Sequence, residues 1–314
     1  MTAAADIGGL KILVADSSRA YEWRTAAALS EPGMTADSWI GNQCVLDRDH
    51  VAAVYAPRHF TNKPDLMQGG AFAAIVNTSD GHVTKLPFTV SLAYFDPSCN
   101  TRTHTAAFTA FRDMNDPAKT RTRVVTVDAA GRTLDEAALR GEVTSAVPVA
   151  DGAVAARGRD LVHIDRSGKV KSLATGNSVP FDIRPAGNGR IGFVEREDTK
   201  RARAKVWSGH GKPALVATGK LGDLDLMPGA EGRVFLTGDP AAAPRTQGTG
   251  ITRIDAPPTR TSPPWGVSPW NRCSPRCPRG PRARQERGQG ILQGGAPPQG
   301  DPAPTPRPWR RTSR

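Results

Sequence analysis

The stretch FDIRPAGNGRIGFV, Phe181–Val194, returns in altered form as LDLMPGAEGRVFL, Leu224–Leu236. Phe181-Asp182, Pro185, Gly189-Arg190 and Ile191 align with Leu224-Asp225, Pro228, Gly232-Arg233 and Val234, each 43 positions further on. Ala174-Thr175-Gly176 recurs at the same offset as Ala217-Thr218-Gly219. Separate landmarks that share one offset mark a structural unit written twice, and the unit is short enough to be a few strands.

Working outward, the chain shows short β-branched runs ended by turn residues and no sustained helical period. Strand-like runs cover Lys11–Ala15, Val51–Tyr55, Ala71–Val76, Arg123–Val127, Leu161–Ile164, Arg190–Val194 and Arg233–Leu236. Three are followed by matching punctuation: Asp128-Ala-Ala-Gly131, Asp165-Arg-Ser-Gly168 and Ser79-Asp80-Gly81. An Asp or Ser side chain bonds the turn's own backbone there, and glycine takes the positive φ that closes the hairpin. Gly81, Gly131, Gly168 and Gly211 then stand 50, 37 and 43 residues apart, the length of one blade of a β-propeller, four antiparallel strands in roughly 40 to 50 residues. The expected fold is all-β: an incomplete β-propeller with WD-like units of about 43 residues. Residues 1–255 form the repeat domain, with about five blades visible. A β-sandwich is the rival, and it predicts strands without a regular self-match.

The average composition conceals a division. Residues 256–314 hold 14 of the 27 prolines and 11 arginines, with no Lys, Phe or Tyr. Two acids leave this segment +9 of the chain's +12, so +3 falls on residues 1–255. So few apolar side chains cannot offset the entropy of ordering, and 256–314 is expected to be a disordered basic tail. Its abrupt change of composition also fits a shifted reading frame, and hence a gene fragment.

SEPGMTADSWIGNQCV, VYAPRHFTNKPDLMQGGAFAAIV and VTKLPFTVSLAYFDPSC, within Ser30–Cys99, resemble the amino-terminal propeller region of large secreted actinobacterial proteins of the YD-repeat (rearrangement-hotspot) class. The likeness runs more loosely to about Asp255. It implies export, an extracellular or cell-wall setting, and a propeller serving as a binding, shell or delivery module. The sequence departs from the family in having no Tyr-Asp-x-x-Gly-Arg repeat and no export signal ahead of the propeller. The chain as written is therefore expected in the cytoplasm, and its parent family outside the cell.

The resemblance also frames the cysteines. In an exported protein Cys44 and Cys99 are candidates for a disulfide closing a loop of 55 residues, a bond contributing on the order of 3 to 4 kcal/mol. In a reducing cytoplasm they are two unrelated thiols. Cys273 and Cys277 have no further Cys or His near them to complete a zinc site. The six histidines fall singly, and His163 reads as an outward strand residue. Neither Gly-x-Ser-x-Gly nor a phosphate-cradling Gly-x-x-x-x-Gly-Lys-Ser/Thr occurs. Glu195–Asp198 and Lys200–Lys205 read as a solvated hairpin loop with local charge pairing. No catalytic, cofactor-binding or metal residue is assigned.

The function expected from these features is a non-enzymatic binding or scaffold module that meets a protein or a cell-surface glycan through loops at the propeller face. One alternative is a propeller hydrolase or lyase acting on glycan, which requires acids or histidines converging on channel-facing loops. Another is binding of nucleic acid or an anionic polymer by the tail. The tail's arginines lack interleaved aromatics, which disfavours nucleic acid. No apolar run approaches the roughly 18 residues of a membrane-spanning helix.

Overall fold

The computed structural model describes residues 1–229, 233–237 and 252–253. The expected disordered tail, 256–314, and with it Cys273 and Cys277, lies outside the described residues. The sheets and sites described below belong to one compact unit, Met1–Thr259.

The described residues are mostly strand, arranged as six antiparallel meanders. The first sheet holds β1 (Thr2–Ala4), β2 (Leu10–Val14) and β3 (Arg24–Leu29). The second holds β4 (Trp39–Val45), β5 (His50–Pro57), β6 (Ala71–Asn77) and β7 (Val83–Val90), with a short helix, Pro64–Gly69, between β5 and β6. The third holds β8 (Ser98–Asn100), β9 (Thr105–Arg112), β10 (Arg121–Asp128) and β11 (Thr133–Arg140). β12 (Thr144–Val149), β13 (Gly152–Arg157), β14 (Asp160–Asp165) and β15 (Val170–Thr175) make the fourth. β16 (Pro180–Ala186), β17 (Arg190–Arg196), β18 (Arg201–Trp207) and β19 (Ala214–Lys220) make the fifth, and β20 (Asp225–Pro228), β21 (Val234–Thr237) and β22 (Thr252–Arg253) the sixth. In each sheet the strands pair in sequence order. The 43-residue repeat superposes β16 and β17 on β20 and β21.

Each glycine marker sits in the same place. Gly81, Gly131, Gly168 and Gly211 all lie between the third and fourth strands of their sheets, with φ of 78°, 78°, 79° and 68°. Asp128 Oδ1 accepts the N–H of Ala130 and of Arg132, and Asp165 Oδ1 accepts those of Ser167 and Lys169. The carboxylate holds the turn, and glycine supplies the left-handed step a Cβ would resist.

Packing follows from the middle strands, which are buried on both faces. In β5, Val51, Ala53 and Tyr55 join Leu10, Ile12 and Trp39 of the first two sheets, while Ala52, Val54 and Ala56 face Phe108, Val125 and Val127 of the third. In β13, Ala153 and Ala155 face Ala107 and Val124 of the third sheet, and Val154 and Ala156 face Ile191 and Phe193 of the fifth. Val194 turns to Leu226 and Val234 of the sixth. The sheets thus stack face to face in chain order, each sending alternate residues to two neighbours. Alanine recurs on these strands because it lets facing sheets approach closely. The fourth strands are edges of their sheets, and in β11 and β19 more buried positions, among them Ala137 and Leu139, and Ala217 and Gly219, alternate with more exposed ones.

One sequence expectation is corrected here. The acidic and basic clusters are not mainly loop: Glu195 lies in β17 and Lys205 in β18. Glu195 is wholly buried, ion-paired to Lys205 and accepting the Asn177 N–H at 3.1 Å. Outside them Arg203 and Arg201 pair with Glu197 at 2.5 and 3.0 Å. The strand period puts every second charge into the gap between sheets, where only a paired charge is tolerated. His163 is half-buried and meets Asp151 at 3.1 Å.

Candidate functional site

The first strands of consecutive sheets lie side by side: β1 by β4, β4 by β8, β8 by β12, β12 by β16 and β16 by β20. Polar side chains stitch this row. Gln43 Nε2 donates to Met1 O, Asn42 Nδ2 to Ala93 O, and Asn100 Nδ2 to Pro148 O. Two of these first strands break register with the strand that follows them. β12 shifts between Thr144 and Val147, and β16 between Phe181 and Arg184. At each shift stands a non-glycine residue of positive φ, Ser145 at 54° and Asp182 at 48°. A bulge of this kind re-aims a side chain, and strain of about 1–3 kcal/mol per such residue collects at working sites.

Both re-aimed side chains reach one cavity of about 370 Å³, where Asn42 of β4, Ser145 of β12, Asp182 and Arg184 of β16, and Asp225 of β20 meet. A second cavity of about 550 Å³ shares Tyr94, Ser145, Phe181 and Gly222 with it and adds Val179. Asp182 Oδ2 accepts the Leu226 N–H at 2.5 Å, and Arg184 donates to Leu226 O at 2.9 Å and pairs with Asp182 Oδ1 at 2.8 Å. One acid and one base therefore clamp both backbone groups of a single residue in the next sheet.

Burial pushes the Asp182 carboxyl up to about 6. Arg184 and the Leu226 N–H oppose the rise, while the charge of Asp225 and its hydrogen bond to Asp182 add to it. The Tyr94 hydroxyl is raised too, by burial first and by the charge of Asp182 second, although the tyrosine as a whole is 73% exposed. Its ring meets Phe95 edge-on at 5.2 Å. The Ser145 hydroxyl is buried without a hydrogen-bond partner, a state that costs about 1–3 kcal/mol and leaves a polar atom for a ligand to satisfy.

Cys44 and Cys99 are joined by a disulfide, with Cα atoms 5.6 Å apart. It ties β4 to β8, and Cys44 lines the smaller cavity. The site thus offers an exposed aromatic ring, the raised Asp182 carboxyl beside Asp225, a guanidinium and a buried hydroxyl without a partner. No group of three or more His, Cys, Asp or Glu able to hold a metal occurs among the described residues, and among them no helix is long and apolar enough to cross a membrane.

No family model matches the chain, and no curated protein does. Among solved structures, an orthorhombic crystal form of Pyrococcus horikoshii acylaminoacyl peptidase aligns at 12% identity and a TM-score of 0.38, covering 63% of this chain and 42% of that one. The uncomplexed form of that peptidase aligns at 13% identity and a TM-score of 0.36 over the same shares. The chain spans 42% of the length of these solved chains. Both are enzymes by name, and the expectation of a non-enzymatic chain is accordingly withdrawn. Likeness at this level carries no reaction, substrate or residue role to this chain.

Proposed function

We propose that the six sheets are blades of a β-propeller, and that the domain is a binding module of an exported protein taking a polyhydroxylated, glycan-class ligand at the meeting of its first strands. The propeller reading is supported by the face-to-face stacking in chain order and by the row of adjacent first strands. Export is supported by the Cys44–Cys99 disulfide, a bond that persists in oxidising compartments, and by the YD-repeat resemblance.

The observation that carries the ligand assignment is the convergence of Ser145, Asp182 and Asp225 on one cavity beside an exposed aromatic ring. Sugar hydroxyls satisfy carboxylates, a guanidinium and an orphaned serine hydroxyl together, while an aromatic ring packs against the apolar face of a pyranose. Glycan-array binding of the labelled chain at pH 7.5 tests the reading. Asp182→Asn and Tyr94→Ala should each weaken the leading glycan about tenfold or more, the loss of one charge-assisted contact or one aromatic anchor. Equal binding by the chain and both variants, or no glycan retained at all, sinks it.

A second reading is favoured by the Asp182 carboxyl, which burial raises to about 6 in the cavity that Asp225 also lines. Such a carboxyl can donate a proton to a glycosidic oxygen. Release of new reducing ends from the bound glycan, greatest near pH 5 to 6 and abolished in Asp182→Asn, identifies hydrolysis; binding without release leaves the binding module.

A further inference from the structure

A different face of the molecule carries a cationic row that the first-strand site does not use. In the third sheet Arg121 of β10 stands directly opposite Arg112 of β9 on one side and Arg140 of β11 on the other. Like charges directly opposite across strands oppose pairing, and all three side chains are exposed. Among the described residues no carboxylate pairs with any of them. Of the nearby acids, Glu136 lines the same groove with its carboxylate 3.9 Å from Arg123, Asp116 pairs with Lys119 at 3.1 Å, and Asp113 begins the turn after β9.

The row borders a groove of about 680 Å³ between this sheet and β7. Its cause is legible in the register. One step inward from the row, Arg123 is flanked by Ala110 and Ala138, and these small side chains leave space that larger residues would fill. Arg123 lies over the Phe88 ring at 5.4 Å and donates to Thr89 O at 3.0 Å, which fixes the groove's floor. Arg121 is pinned as well, its Nη1 donating to the carbonyls of Ala118, Lys119 and Thr120 at 3.3, 3.0 and 2.9 Å. Its remaining N–H groups and the whole Arg112 guanidinium are left to face the opening. A planar fork held in place next to a second, unpaired one is the arrangement that receives an oxyanion.

We infer that this groove binds a ligand carrying a carboxylate or phosphate on an apolar body, with the oxyanion between Arg112 and Arg121 and the body along Phe88 and Ala110. The site stands apart from the Asp182 cavity and does not depend on the function proposed for it.

Titration calorimetry of the full chain with phenyl phosphate, phenylacetate and inorganic phosphate tests the inference against an Arg112→Gln/Arg121→Gln variant. Because residues 256–314 are unchanged in the variant, anion binding by that segment cancels in the comparison. The double variant should lose more than about threefold in affinity for phenyl phosphate, phenylacetate or both, and phenyl phosphate should bind the unaltered chain more tightly than inorganic phosphate does. A response to phenyl phosphate alone names a phosphate ester as the ligand class, and to phenylacetate alone a carboxylate. A change of threefold or less for both organic anions overturns the site, and inorganic phosphate binding as tightly as phenyl phosphate overturns the apolar half of it. Arg112→Gln alone, which removes a side chain without a partner, should retain the parent's unfolding temperature and still weaken binding; a variant that folds and binds as the parent does counts against the inference.

Discussion

The middle strands and the first strands of the same sheets obey opposite rules. β5, β9, β13 and β17 are mostly apolar or alanine-rich, and each pairs with the strand that follows it in an unbroken register. β12 and β16 are bulged, hold positive φ at Ser145 and Asp182, and turn polar groups into a cavity. The contrast shows a division of labour within one meander. Burial on both faces of the middle strands stabilises the stack, and that surplus lets the first strands retain strain, an unpartnered hydroxyl and a raised carboxyl.

Substitutions that act on only one side of this contrast can break or sharpen it. The largest effect is expected in the middle strands. Phe193→Ala empties a site that is 1% exposed between the fourth and fifth sheets and should cost about 3–5 kcal/mol in denaturant unfolding. A cost below 1 kcal/mol would mean that the faces between sheets do not carry the stability.

Next comes the disulfide joining the second sheet to the third. Cys44→Ala/Cys99→Ala releases a 55-residue loop and should lower stability by about 2–4 kcal/mol, read as a lower denaturation midpoint. An unchanged midpoint in reducing and oxidising buffer would show that sheet packing alone fixes the two sheets.

Asp182 supplies a smaller, pH-dependent effect. Its folded pKa of about 6 exceeds the unfolded carboxyl value, so the native state binds more protons between about pH 4 and 6. Its contribution is present in full below about pH 4 and is lost as pH rises through 6. Asp182→Asn should therefore close a gap of about 2–3 kcal/mol in the pH dependence of stability across that window. Parallel stability curves for parent and variant from pH 4 to 7 would contradict the raised carboxyl. The lowered carboxyls of Asp47, Asp128 and Asp198 act with the opposite sign, adding stability above about pH 4, and they are common to both proteins.

The smallest effect is at Ser145. Ser145→Gly accepts φ of 54° without strain and removes a buried orphaned hydroxyl, so it should stabilise by up to about 1 kcal/mol while weakening the glycan that the cavity selects. Loss of stability instead would mean that the hydroxyl serves the fold.

The fold was largely open to reading in the sequence because strands and tight turns are local. Asp128 and Gly131, or Asp165 and Gly168, specify a hairpin from a few consecutive residues, and the 43-residue offset follows from repeating that hairpin. Glu195 was misread for the complementary reason. Its neighbours in sequence are charged, and only the facing strand, with Lys205, makes its burial tolerable. The first-strand site was half visible. The repeat aligns Asp182 with Asp225, two acids at the start of strands where apolar alternation lapses, and this lapse was the available signal. Ser145 has no such marker, since it sits 37 residues before Asp182 in a unit of different length.

By itself the sequence determined the all-β class, the period of the unit and the position of its turns, all consequences of backbone propensity and glycine stereochemistry within short windows. Tertiary structure alone decided that Asp182 and Asp225 share a cavity with Ser145 and Tyr94, and that three arginines from separate strands form one row. Such groups are far apart along the chain, and the stacking of sheets and the register of strands, set by packing, bring their charges within reach of one another.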